Sequence, residues 1–172
     1  HPEWMVKRWQ NQYGRDKTEK MCTANNLLPR IRVIVNPAFD RENIEADLAS
    51  RYEIDEQHSE GFTLNNPAGL FETQWADKGA FLVQDHSSQQ INRLIQLLPK
   101  MCVLDACASP GGKLFHMEWR FEKEIDQLVA LEISEMRLER LKANKKKYRS
   151  RAQLVRMDAA CPALTTGFDL IL

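Results

Sequence analysis

The spacing of apolar positions changes rhythm near Gly79 and divides the 172-residue chain into two stretches. In the first, Trp4, Met5, Arg8 and Trp9 fall near one face of a helix running to about Tyr13. Tryptophans at that spacing are expected to pack inward rather than to stack on a ligand. Residues 16–26 read as a second helix, stopped by Pro29 because proline cannot continue it. Residues 31–35 are rich in β-branched side chains and read as a strand. Asp40 is placed to cap a helix running to about Tyr52, with Ile44 and Leu48 four apart on its inner face. Short strands and turns follow as far as Lys78, broken at Asn65-Asn66-Pro67 and Ala68-Gly69.

From Gly79 onward, short apolar runs alternate with segments of helical period. Residues 80–83, 102–104, 127–131, 153–157 and 168–172 read as strands. Residues 87–98 read as a helix with Ile91, Leu94, Ile95 and Leu98 inside and Pro99 as its stop, and residues 113–121 read as another. Ser134 is placed to cap a third helix, with Leu138 and Leu141 inside, Glu135 in its first turn and lysines in its last. That charge order suits the helix dipole. Strands alternating with helices of this length predict a parallel sheet covered on both faces. The fold class is therefore α/β: residues 79–172 are expected to form the first half of a doubly wound sheet, and residues 1–78 a smaller α+β attachment.

Candidate chemistry concentrates in the loop from Asp105 to Lys113 (Asp-Ala-Cys-Ala-Ser-Pro-Gly-Gly-Lys). A phosphate-binding loop of the G-x-x-x-x-G-K-[ST] type is excluded, since Cys107 replaces its first glycine and Leu114 the magnesium-binding hydroxyl. The G-x-G-x-x-G fingerprint fails as well, because Gly111 and Gly112 are adjacent. A nucleoside cofactor lying across the strand ends fits better. It needs small residues where backbone approaches the ligand, and an acid at the end of the next strand for the ribose hydroxyls. Asp105, Glu132 and Asp158 stand at or just past the ends of three successive strands. The competing reading is that these acids only cap the helices that follow.

Composition narrows the picture in a few places. Basic and acidic residues balance at 24 each, so net charge argues for no partner. Six cations nevertheless fall between Lys142 and Arg151 with no acid among them; such runs are most often a solvated helix end, and the alternative is a contact with phosphates. Cys22, Cys102, Cys107 and Cys161 form no C-x-x-C pair, so no zinc site is expected, and their scatter suits reduced thiols in a cytoplasmic protein. Cys102 is expected in the core and Cys22 and Cys161 in packing roles. No secretory signal opens the chain, and no apolar run reaches the roughly 18 residues of a membrane span. The opening His1 and the apolar run that closes at Leu172 lead to the expectation of a fragment.

The run Val103-Leu104-Asp105-Ala106-Cys107-Ala108-Ser109-Pro110-Gly111-Gly112-Lys113 resembles motif I of the S-adenosylmethionine-dependent RNA cytosine-carbon-5 methyltransferases. Val83-Gln84-Asp85-His86-Ser87-Ser88-Gln89 is similar to the segment that precedes that motif. Val129-Ala130-Leu131-Glu132-Ile133 with Arg137-Leu138 resembles motif II, and Val155-Arg156-Met157-Asp158-Ala159 the adenine-side segment. The opening His1 to Val6 with Arg8-Trp9, and Asn25-Asn26, resemble the bacterial small-subunit ribosomal RNA methyltransferase B branch. The resemblance implies a Rossmann-like methyltransferase sheet at 79–172 and an RNA-binding α+β subdomain at 1–78. It implies S-adenosylmethionine as cofactor, with Cys107, Ala108, Ser109, Pro110, Gly111, Gly112 and Lys113 around its methionine part, Glu132 on the ribose and Asp158 near the adenine. It implies ribosomal RNA, or else transfer RNA, as partner, 5-methylcytosine as product, and neither metal nor membrane. The full-length protein is expected to be a monomer.

Three departures bear on these expectations. Glu132 stands where the family has Asp, Leu114-Phe115 replace a pair of threonines, and Ile34 stands where an arginine is common. The family's cysteine nucleophile, and the second cysteine that releases product, belong to segments after the strand that closes here at Leu172. No catalytic residue is therefore expected within the chain. The reading from another functional class is a non-catalytic module that binds RNA or cofactor.

Overall fold

The computed structural model describes residues 1–27, 30–165 and 167–172. The chain divides into one unit of His1–Arg30 and another of Ile31–Leu172. In the first, α1 (Glu3–Tyr13) and α2 (Arg15–Asn25) are joined at Gly14, whose φ of 81° reverses the chain. Both expected helices form, but their inner face differs. No side chain of α1 is buried, and Trp4 is 63% exposed. Two eleven-residue helices meet along a single line, which is too little surface to enclose an indole. Pro29, expected as a helix stop, lies outside the described residues.

The second unit contains two four-stranded sheets. The first is antiparallel in the order β2-β3-β1-β4, from β1 (Ile31–Val35), β2 (Glu53–His58), β3 (Gly61–Asn65) and β4 (Phe81–Val83). Helix α3 (Arg41–Ala49) packs on it through Ile44 and Leu48, both fully buried. As expected, Asp40 starts that helix, its carboxylate accepting from the amides of Glu42 at 2.9 Å and Asn43 at 3.4 Å. A short helix α4 (Gln74–Asp77) leads into β4. The second sheet is parallel in the order β7-β6-β5-β8, from β5 (Met101–Asp105), β6 (Ile125–Glu132), β7 (Gln153–Arg156) and β8 (Leu170–Ile171). Helices α5 (His86–Leu94), α6 (Gly112–Arg120) and α7 (Glu135–Tyr148) complete the unit. The chain winds outward from β5 to β7 and then returns to place β8 on the other side of β5. That reversal is a topological switch point, where ligands gather in open α/β sheets.

Two expectations are corrected. The sequence places residues 80–83 at the start of the parallel sheet; instead β4 runs antiparallel to β1, pairing Val33 with Val83 and Val35 with Phe81. The reason is burial on both faces. Phe81 joins the core under α3, while Leu82 and Ile34 turn the other way into the core of Val103, Leu114 and Met117. Ile34, the residue found where the family favours arginine, is thus a core side chain.

The second correction concerns α5. It stops at Leu94, because Ile95 is already extended (φ −74°, ψ 133°), and Leu94 and Leu98 are exposed rather than inside. Its buried side chains are polar, Gln89 and Asn92. Gln89 donates to the Gln84 carbonyl at 2.9 Å and accepts from Arg32 Nε at 3.0 Å, and Asn92 donates to the Lys113 carbonyl at 3.1 Å. Hydrogen bonds to backbone and to a cation, not apolar period, therefore decide which face turns inward.

These bonds belong to a network that ties the antiparallel sheet to α6. His116, almost wholly buried, places Nδ1 2.9 Å from Gln84 Oε1 and Nε2 3.1 Å from Glu60 Oε1, and Arg120 reaches the same Glu60 oxygen at 2.8 Å. The hydrogen bond from His116, with Arg120 behind it, holds the Glu60 carboxyl down at about 2 against the opposing effect of burial. Arg93 Nε lies 3.7 Å from the other Glu60 oxygen, so removing the carboxylate strands three partners. Glu60→Ala is therefore expected to cost about 2 kcal/mol, read as a lower urea midpoint at unchanged m-value. Because the folded pKa is depressed, the contribution is complete above about 4.5 and is lost as pH falls toward 2. The gap between wild type and variant should close over that interval.

Candidate cofactor site

The site is built where the chain leaves β5. Asp105, the last residue of that strand, accepts the Cys107 amide on Oδ1 at 3.1 Å. The Ala106 amide donates to the Leu172 carbonyl at 2.9 Å, and the Ala108 amide to the Leu131 carbonyl at 3.0 Å. The loop is thus pinned to both neighbouring strands. Helix α7 holds its far side: Ser109 Oγ donates to the Arg137 carbonyl at 3.0 Å, and Asn144 Nδ2 to the Pro110 carbonyl at 2.8 Å. The Ser109–Pro110 peptide is cis.

Gly111 then turns the chain into α6 with φ at +107°, a conformation that L side chains rarely adopt. A Cβ there would also collide with the ring of Phe115. Phe115 and Leu114, which replace the family's threonines, are fully buried in the core. No side chain caps α6. The amides of Gly112, Lys113 and Leu114 precede the first intrahelical bond, which runs from Phe115 to the Gly111 carbonyl. An uncapped helix start of this kind is receptive to an anion.

A cavity of about 560 Å³ opens over this turn. Cys107, Ala108, Ser109, Pro110, Gly112 and Lys113 line one side with Asp105, and Gln84, Asp85, Ser88 and Ile91 the other. Of the residues expected at the site, Gly111 shapes the turn without lining the cavity. Glu132 and Asp158 stand at the same end of the sheet but outside the lining. Glu132 follows the carbonyl that anchors Ala108, and its Oε1 accepts the Ser134 amide at 2.9 Å. Asp158 is exposed, and its Oδ1 accepts the Ala160 amide at 2.9 Å. Each acid thus accepts an amide two residues on and has a second oxygen outside that bond, but neither caps a helix as the competing reading expects: Ser134 itself caps α7, and among the described residues no helix follows Asp158. Asp85 and Ser88 line the cavity without being singled out by the sequence, where their signal is the segment of residues 83–89 preceding motif I. Cys107 is exposed, as is Cys161, which was expected to pack, and Cys102 is half-buried rather than in the core. A smaller cavity of about 370 Å³, walled by Phe39 and Trp119, lies away from the loop, and its Glu60 and Arg120 are already paired.

Burial pushes the Asp105 carboxyl up to about 6, with the Cys107 amide and Lys113 opposing the shift. The cavity floor is thus an acid of which a large share is ionised near neutrality, at a cost to the fold.

A parallel sheet reversed at β5, with a glycine turn into an uncapped helix, defines a Rossmann-like α/β domain. A family model described as "Methyltr_RsmF/B-like, ferredoxin-like domain" matches residues 1–70. A second, "16S rRNA methyltransferase RsmB/F", matches residues 92–172. The chain belongs to the RsmB/F methyltransferase family. It is 31% identical over 179 residues to ribosomal RNA small subunit methyltransferase B of Serratia proteamaculans, covering 100% of this chain and 41% of that protein. It is 28% identical over 167 residues to the protein of the same name from Pseudomonas syringae pv. tomato, covering 92% and 36%. The chain therefore spans about two fifths of the length of these relatives. Among solved structures, a methyltransferase homolog protein from Pyrococcus horikoshii superposes with a TM-score of 0.74 at 19% identity, covering 92% of this chain and 53% of that one. NSun6 from the same organism, solved with SFG, gives 0.73 at 15% identity, covering 91% and 65%. These likenesses concern the fold.

Two outcomes follow for the site. The folded pKa of Asp105 is raised, so wild-type stability should fall as pH rises from about 4 to about 6. Asp105→Asn keeps an acceptor for the Cys107 amide, and should remove that decline and raise the melting temperature at pH 7.5, checked by thermal scans across pH. Gly111→Ala should destabilise by about 2 kcal/mol or more, measured by urea denaturation.

Proposed function

We propose that this chain holds S-adenosylmethionine at the end of β5 and belongs to an enzyme that methylates carbon 5 of cytosine in ribosomal RNA. The observation that carries the reading is the Gly111 turn. It opens an uncapped helix onto a cavity of nucleoside size at the switch point of the sheet, in a chain of the RsmB/F family.

The residues suit the group. Gly111 leaves room where a Cβ would close the turn. Cys107 to Lys113 would hold the methionine portion, with the amides that start α6 and Lys113 placed to receive its carboxylate. The buried Asp105 lacks full compensation from Lys113, and a cationic ligand in the cavity would hold it ionised. The second oxygen of Glu132 would accept from a ribose hydroxyl, and Asp158 would approach the adenine amine.

Bound S-adenosylmethionine supplies an electrophilic methyl group. The chain's part is to orient its carrier and to exclude water around it, while the target cytosine is drawn out of its stack to reach the crevice. No cysteine of this chain is assigned as nucleophile, Cys107 being part of the cofactor loop. Residues 1–78 are assigned to the RNA side and 79–172 to the cofactor side, in a cytoplasmic protein that acts as a monomer and uses no metal.

Isothermal titration of the chain with S-adenosylhomocysteine tests the reading. One site is expected, and Glu132→Gln, which keeps the bond to the Ser134 amide, should weaken it about tenfold with an unchanged far-UV spectrum. No binding by wild type, or equal binding by the variant, would overturn the assignment.

A further inference from the structure

The C-terminal end of α7 carries more positive charge than the fold uses. Helix α7 leaves the cofactor edge of the sheet at Ser134 and runs back against the parallel strands. At the opposite edge, Arg151 donates to the carbonyls of Glu122 and Ile125, the residues before and at the start of β6. Of the six cations from Lys142 to Arg151, Lys142 pairs with Glu139 at 2.7 Å and Arg151 approaches Glu118 at 3.8 Å. Among the described residues, Lys145, Lys146, Lys147 and Arg149 have no carboxylate in salt-bridge range. Lys142, Lys145, Lys146 and Arg149 line a groove of about 480 Å³ with Ser150 and Leu154.

A second observation sets this run apart from an ordinary solvated helix end. Arg149 terminates α7 in the left-handed conformation (φ 56°, ψ 36°), where its amide bonds Lys146 and the next amide bonds Lys145. Helices commonly end this way on glycine, because a Cβ is strained there. This chain keeps a long exposed cation at that helix end, where stability favours none; Lys100, the other exposed cation with positive φ (66°), ends no helix.

We infer that this groove is a docking face for the phosphate backbone of double-helical RNA, separate from the cofactor crevice. That the polyanion is RNA rests on the function proposed above; the rest of the choice comes from the groove. The groove's own lining holds no aromatic ring, Tyr148 beside it packing against Phe115 at 5.2 Å and Trp119 at 5.8 Å, so the face reads phosphates rather than splayed bases. Leu138 and Leu141 are buried, which leaves the helix no apolar face to enter a bilayer. Its place at the far edge of the sheet suits a large structured RNA that reaches around the domain while its target base lies at the crevice.

The test is the salt dependence of hairpin RNA binding, read by fluorescence anisotropy on this chain. Neutralising Lys145, Lys146 and Arg149 together to Gln should make the slope of log affinity against log salt shallower by about 2 to 3, with S-adenosylhomocysteine binding unchanged. Arg149→Gly should weaken RNA binding and at the same time raise the melting temperature by about 2–4 °C, a pair of opposite signs that a merely structural arginine would not give. The proposal is overturned if wild type has no salt-dependent affinity for the hairpin, or if the triple variant keeps the wild-type slope. Binding to phosphatidylserine vesicles without binding to RNA would also overturn it. RNA binding with the expected slopes in a chain that takes up no S-adenosylhomocysteine would uphold this face and overturn the cofactor reading instead.

Discussion

Between Asp105 and Gly112 the chain must pass from a buried central strand into a helix in a few residues, and every amide it buries on the way needs a partner. The solution uses what lies on either side. Ala106 bonds the strand returning at Leu172, Ala108 bonds Leu131 of the neighbouring strand, and Cys107 bonds the carboxylate of Asp105 itself. With these amides paired inward, the groups left facing the crevice are the first amides of α6, Lys113 and the small side chains of the loop. The architecture of the site follows from that division: the loop's own hydrogen bonds decide which backbone groups remain for a ligand.

The same region is supported from outside the parallel sheet. Gln84, at the exit of β4, contacts His116 of α6, and its carbonyl accepts from Gln89 of α5, which in turn accepts from Arg32 of β1. Asn92 fixes the Lys113 carbonyl in the first turn of α6. One wall of the cavity therefore belongs to the exit of the antiparallel sheet, and the other to the β5 loop. Within Ile31–Leu172 the antiparallel and parallel sheets thus meet through buried polar contacts centred on Gln84, Gln89, His116 and Glu60. Their partners are specific in geometry, so they set register between the sheets as well as stability.

Much of this was legible in the sequence, and the failures have physical causes. Strands 31–35 and 102–104, the Asp40 and Ser134 caps and the burial of Ile44, Leu48, Leu138 and Leu141 follow from short-range patterns that burial rewards. Strand partnership did not follow: residues 80–83 are apolar on both faces, as a central parallel strand would be, but here because two cores meet across β4. Helix α5 misled for the opposite reason. Its apolar stripe is real, yet its inward face is fixed by amide side chains whose partners lie up to 57 residues away. The motif I loop was found by composition and order, whereas Asp85 and Ser88 across the cavity became visible only through packing. The left-handed Arg149 left no mark in the pattern at all, because nothing in a lysine-rich helix end announces backbone strain.

Where a cofactor touches the chain decides the assignment of the β5 loop as its site. Amide resonances of the ¹⁵N-labelled chain, followed during titration with S-adenosylhomocysteine, measure this residue by residue. The largest shifts are predicted at Ala106 to Ala108 and Gly111 to Leu114, with smaller ones at Asp85, Ser88 and Glu132 and none along β2 and β3. Shifts centred instead on Phe39, Glu60 and Trp119, or no shifts at saturating ligand, would contradict it.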